Sequence, residues 1–102
     1  MTCREPDGEP AGITVNSFTS VSLEPRLILW NIARESSSTA AFLNAGEFVV
    51  NFLAADQKPV SGHFAQSDRP LFDDLKAEDS PSGQPVLADC IGYLHCRTDA
   101  VH

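Results

Sequence analysis

A chain of 102 residues has room for one domain, residues 1–102, with a modest core and no second domain. Its 42% hydrophobic and 21% charged content is that of a globular chain and too apolar for a disordered one. The formal charge is -7, the acids include Glu5, Asp7, Glu9, Asp73, Asp74, Glu78 and Asp79, and no Lys/Arg cluster can track a phosphate backbone, which argues against nucleic-acid binding.

No membrane span is expected. The most apolar tract, Ala40 to Ala55, is interrupted by Asn44, Glu47 and Asn51, which a bilayer penalises. The first ten residues carry acids and no apolar run, so no signal peptide is expected either. Cys3, Cys90 and Cys96 form an odd set without framework spacing, which fits a reducing cytoplasm better than a disulfide scaffold.

Residues Thr2 to Ala11 read as the end of a strand followed by a turn at Glu5-Pro6-Asp7-Gly8. The segment from Gly12 to Pro25 then begins as a strand, with Ile13 and Val15 on one face and Thr14 and Asn16 on the other. It breaks into small hydroxyl residues, Ser17, Thr19, Ser20 and Ser22, around Phe18. Such a ribbon offers backbone N–H groups and short donors to a flat, polar-edged ligand without adding charge. A solvated Ser/Thr-rich edge strand reads equally well from the pattern.

Leu27-Ile28-Leu29-Trp30-Asn31-Ile32 predicts a strand buried on both faces. Ser36 to Gly46 predicts a short helix with a serine N-cap and Gly46 as C-cap. With Arg34 one step upstream, its start is a plausible anion seat, and an ordinary cap beside a solvated arginine is the plainer alternative. Glu47 to Leu53 predicts a central strand. Asp56 is expected to cap a helix from about Gln57 to Gln66 that carries Val60, Phe64 and Ala65 at helical spacing, with Pro59 in its first turn. Residues Ser67 to Gln84 read as a polar excursion with one helical turn near Leu71 to Leu75. Pro85 to Thr98 carries a last strand, with Cys90, Gly92, Leu94 and Cys96 on one face. The fold class is mainly β with short helices, a small β-barrel or α+β sheet.

In this order the residues resemble the flavin reductase-like family of FMN-binding split barrels, many of which are reductase components of two-component monooxygenases. The resemblance rests on Gly12 to Pro25, with its strongest piece from Asn16 to Ser22. Leu27 to Arg34, Ser36 and Ser38, Gly46 to Asn51, Leu53 to Gln57, His63-Phe64-Ala65 and Leu94 to Arg97 follow in sequence. It implies that Thr14, Asn16, Ser17, Thr19, Ser20, Val21 and Ser22 line the isoalloxazine and ribityl chain of FMN or FAD. Ala33, Arg34, Ser36 and Ser38 would hold the phosphate end, and His63 and Phe64 would lie at the periphery. NADH or NADPH would supply hydride to the flavin, so no general base is required. The partner implied is a monooxygenase component, and a homodimer is expected.

The family is expected to extend further at both ends, with a helix and strand before Thr2-Cys3 and a Gly-Asp-His motif and closing strands after His102. On that ground a non-catalytic flavin-binding module or an inactive fragment stands beside the reductase reading. Arg26, where a second proline is common, and the triple serine also depart from the pattern. Cys90, His95, Cys96 and His102 invite a metal reading, but Cys90 and Cys96 are six residues apart with no Cys-x-x-Cys knuckle, and a packed cysteine with a rim histidine is plainer. A Cys96/His63 nucleophile pair has no support from spacing.

Overall fold

The computed structural model describes residues 1–15, 18–65, 77–81 and 83–101. The expected helical turn near Leu71 to Leu75, the ribbon residues Asn16 and Ser17, and His102 lie outside them.

A tight hairpin starts the chain. Strands β1 (Thr2–Arg4) and β2 (Pro10–Gly12) pair antiparallel, Cys3 opposite Ala11. The turn between them closes where the sequence signal placed it. The Gly8 amide donates to the Glu5 carbonyl at 2.8 Å, and Gly8 takes a φ of 93° that a side chain would resist. The central strand, β5 (Glu47–Phe52), pairs with β1 on one side and with β8 (Gly92–Arg97) on the other, giving a sheet ordered β2-β1-β5-β8.

Helix α1 (Thr39–Ala45) covers this sheet, with Gly46 in the left-handed conformation at its C-terminus. Its buried residues, Ala41 and Phe42, join Met1, Cys3, Ala11, Phe48 and Val50 in the core. Trp30 packs edge-on against Phe42, centroids 5.1 Å apart, and tilted against Phe48 at 5.6 Å. This aromatic triple ties the helix to the central strand with contact area that aliphatic side chains of similar number would not supply.

Three expectations are corrected. The strand expected from Ile13 is absent. The ladder stops at Gly12, and the hydroxyl ribbon instead forms β3 (Thr19–Leu23), paired with β4 (Arg26–Leu29) in a separate two-stranded sheet. Nor is the Leu27–Ile32 run a strand buried on both faces. Among the described residues it pairs only with β3, its strand ends at Leu29, and Leu29 is exposed. The apolar run has a different reason: Ile28, Trp30 and Ile32 lean on the core one after another. Finally, Asp56 does not cap the second helix. A 3-10 turn (Ala55–Gln57) leads into α2 (Lys58–Phe64), with Gln57 at the N-cap and Pro59 in the first turn. Gln57 wins because its side chain is long enough to accept from the Ala54 amide at 2.7 Å and donate to the Ala88 carbonyl at 3.0 Å. Phe64 is buried on this helix, whereas Ala65, past its end, is exposed.

Strand β6 (Ala77–Asp79) lies in the polar excursion and pairs with β7 (Pro85–Leu87) just beyond it, a hairpin that splits the segment expected as one last strand. The last strand accordingly starts at Gly92, and Cys90 lies before it. Arg4 fastens the hairpin, donating from Nε to the Gly83 carbonyl at 3.0 Å and from one terminal nitrogen to Asp79 at 2.8 Å. Among the described residues no helix is long and apolar enough to cross a membrane.

Candidate functional site

The hydroxyl ribbon approaches the body of the protein through Gly12, Ile13 and Thr14. Gly12 is buried, and a β-carbon there would sit 2.5 Å from the Phe64 ring, so only glycine lets helix α2 come this close. Two residues on, Thr14 donates its amide to the Phe64 carbonyl at 3.2 Å and its hydroxyl to the Ser61 carbonyl at 2.6 Å. Beyond it, the Phe18 ring lies 5.8 Å from that of Phe52 on the central strand. From there β3 runs outward, with Thr19, Ser20 and Val21 exposed and Ser22 half-buried. The Ser22 hydroxyl is turned back onto the Pro25 carbonyl at 2.6 Å, inside a turn whose Glu24–Pro25 peptide is cis. A register shift between Ser20 and Ser22 interrupts the ladder there, as bulges do where a strand re-aims its side chains.

The loop before α1 is folded on itself. The Ser36 amide donates to the Ala33 carbonyl at 3.0 Å, the Thr39 hydroxyl to the same carbonyl at 2.6 Å, and the Ser38 amide to the Ser36 hydroxyl at 3.3 Å. Ala33 and Arg34 are exposed at its crest, with Ser36 half-buried. Ser38 occupies the N-cap position without capping: its buried hydroxyl faces the Gly12 carbonyl at 3.5 Å. It would have to turn to reach a phosphate. The serine-capped anion seat is thus narrower than the sequence suggested, since the amides of Ser36, Ser38 and Thr39 are bonded within the loop.

A cavity of about 250 Å3 opens between β5, residues 13–15 with Phe18, and α2, lined by Ile13, Thr14, Val15, Phe52 and Phe64 among others. Of the predicted site residues only Thr14 and Phe64 reach it among the described residues. Much of its polar lining is paired within the protein: Asn51 donates to the Thr2 hydroxyl at 2.9 Å and accepts from the Leu87 amide at 2.9 Å. His63 packs edge-on against Phe64 at 5.1 Å. Sequence reasoning missed Gly12 and Ser61, and the only signal for them is long-range packing.

Two of the three thiols sit where the thiolate is disfavoured. Burial pushes the Cys90 thiol up, with the Asp89 charge adding to it, and burial alone does the same to Cys96. No group of three or more metal-ligating side chains gathers among the described residues.

A mainly antiparallel fold with two short helices thus carries an exposed, uncharged hydroxyl strand, β3, and an exposed arginine, Arg34, on the loop ahead of α1. Residues 1–102 match the flavin reductase like domain, and the chain belongs to that family. It is 43% identical over 102 residues to an FMN reductase (NADH) of Agrobacterium fabrum, covering all of this chain and 58% of that protein. To the reductase component of a flavin-dependent trigonelline monooxygenase of Acinetobacter baylyi it is 40% identical, over 95% of this chain and 31% of the relative. Its fold superposes with a TM-score of 0.88 on a Streptomyces globisporus NADH:FAD oxidoreductase solved with NAD and FAD fragments. That match is 29% identical and covers 99% of this chain and 61% of that one. The chain therefore spans about a third to three fifths of the proteins it matches.

Proposed function

We propose that this chain supplies the flavin-binding part of an NAD(P)H:flavin oxidoreductase that delivers reduced flavin to a monooxygenase component. The observation that carries the reading is the family match over all of residues 1–102. Bound FMN or FAD would supply the redox chemistry, accepting hydride from the nicotinamide. The protein's part is to bind, orient and shield.

The donor set fits such a ligand. Thr19 and Ser20 present exposed neutral hydroxyls, and the backbone of β3 adds amides at the ribbon's edge. Arg34, exposed on the crest of its loop with Ser36 below, supplies the positive charge for the phosphate. In this reading Asn16, Ser17, Val21, Ser22 and Ala33 complete the ring and ribityl contacts, Ser38 reaches the phosphate after its hydroxyl turns, and His63 and Phe64 stay at the periphery. Thr14 meets the ring through its backbone, since its hydroxyl proton is given to Ser61. The single domain works in the cytoplasm with its cysteines reduced, and two copies pair as a homodimer.

Purified protein mixed with NADH or NADPH and FMN or FAD should oxidise the nicotinamide faster than free flavin does, followed at 340 nm. Flavin fluorescence quenching without nicotinamide oxidation would instead favour a non-catalytic flavin module. Absence of both signals removes the flavin reading.

A further inference from the structure

Helix α2 lies behind the ribbon, and its last turn touches the ribbon's root at three points. The Phe64 ring covers the bare α-carbon of Gly12, and Thr14 occupies two carbonyls of that turn, those of Ser61 and Phe64. Helix C-termini leave carbonyls such as that of Phe64 without intrahelical donors, and the Ser61 carbonyl has a second lone pair open beyond its helical bond. At the C-cap, the Ala65 amide already serves the Ser61 and Gly62 carbonyls, so Thr14 completes the capping of α2 from a distant part of the chain. The ribbon is then fixed a second time, by Phe18 against Phe52.

We propose that Gly12 and Thr14 are positioning residues: they clamp the root of the hydroxyl ribbon to the C-terminal turn of α2, and this clamp sets the height and tilt at which β3 meets the flavin. The role rests on the flavin reading above and adds to it a structural origin for the cradle's geometry. The clamp is specific in chemistry. A threonine or serine supplies the hydroxyl proton that Ser61 accepts, valine of nearly equal shape supplies none, and a methyl at position 12 collides with the Phe64 ring. Loss of either element lets the ribbon root move away from α2 without removing an exposed donor of β3. Small displacements of positioning elements are expensive for ligand geometry.

The test uses Thr14→Val, Thr14→Ser and Gly12→Ala, titrated with FMN by fluorescence quenching, with amide hydrogen exchange measured on each protein without flavin. The expected result is an FMN Kd weakened about tenfold by Thr14→Val and by Gly12→Ala, and changed less than about twofold by Thr14→Ser. In turnover the KM for flavin should rise while the KM for the nicotinamide stays put. Amides of residues 13–15 and 18 should exchange faster in Thr14→Val, and those of β8 should not. Equal FMN affinity of Thr14→Val and the parent protein overturns the proposal, as does equal weakening by Val and Ser. If the parent protein binds no FMN, the flavin reading fails and takes the cradle role with it. The exchange comparison still decides whether the clamp exists.

Discussion

Asn51 on the central strand donates its side-chain amide to the hydroxyl of Thr2 at 2.9 Å, and Thr2 passes its own proton to the Pro85 carbonyl at 2.6 Å. The other end of the same amide accepts from Leu87 at 2.9 Å. Two side chains thereby close a ring of three hydrogen bonds that binds β7 to β5 and β1 behind the cavity.

Removing Asn51 leaves the Leu87 amide without its acceptor and the Thr2 hydroxyl without its donor. Asn51→Ala should therefore lower unfolding stability by about 2–4 kcal/mol, read from urea midpoints, because each stranded buried group costs about 1–3 kcal/mol. Combined with Thr2→Val, the loss should fall short of the sum of the single losses. Strict additivity would show that the ring is not a unit.

Arg4 makes a different kind of contact. Its guanidinium spreads over the Gly83 and Gly8 carbonyls and Asp79, with Arg4 one-third and Asp79 two-thirds exposed. Arg4→Lys keeps the charge and loses the fork. Global stability should change by less than about 1 kcal/mol, since exposed ion pairs contribute little. Hydrogen exchange in residues 77–79 and 85–87 should nonetheless accelerate. Unchanged exchange would show that the hairpin is held without the guanidinium, by the Thr2 hydroxyl on Pro85 and by the Arg4 amide, which donates to the Gln84 side chain at 2.8 Å.

For Arg34 the prediction turns on the difference between two flavins. Arg34→Ala should weaken FMN roughly tenfold to a hundredfold, the range of a charge-assisted hydrogen bond of about 1.5–3 kcal/mol. Riboflavin, which has no phosphate, should bind the variant and the parent alike. Equal loss for both ligands would place Arg34 away from the phosphate.

The amino group of Met1 is buried and donates to the Ile13 carbonyl at 2.9 Å, and that burial holds its pKa down, at about 6 against the ordinary 8.0. A lowered amine means the fold prefers the neutral form, so the unfolded chain binds more protons between those two values. For the chain with a free amino terminus, stability should be full above pH 8 and decline as pH falls towards 6. The total loss is about 2–3 kcal/mol. Urea midpoints across pH 5.5–8.5 measure it; a flat profile through that window contradicts the burial.

Where a structural decision was local, the sequence showed it. Gly8 closes its turn, Gly46 ends α1, and the apolar run through Phe48 and Val50 makes the central strand. Distant partners were not legible. Gln57 displaces Asp56 at the second helix because Ala88 waits 31 residues away for its amide. The apolar side chains after Leu27 read as a buried strand, although they serve a core edge beside an exposed hairpin. In the site, the hydroxyl pattern was visible from Thr19 to Ser22, but the direction of the Ser38 hydroxyl and the grip of α2 on Thr14 depend on backbone carbonyls, which no side-chain pattern encodes.

The strand order β2-β1-β5-β8 has a consequence for how the molecule comes into being. Strand β1 lies in the interior of this sheet, yet its neighbour β5 begins only at Glu47, and that neighbour's other flank, β8, runs to Arg97. On a lengthening chain Cys3 and Ala11 therefore wait for the cover that α1 and β5 bring, and this sheet assembles through contacts far apart in sequence. Closure of the sheet is late and cooperative, and its demand on chaperones is greatest before β8 is available to pair.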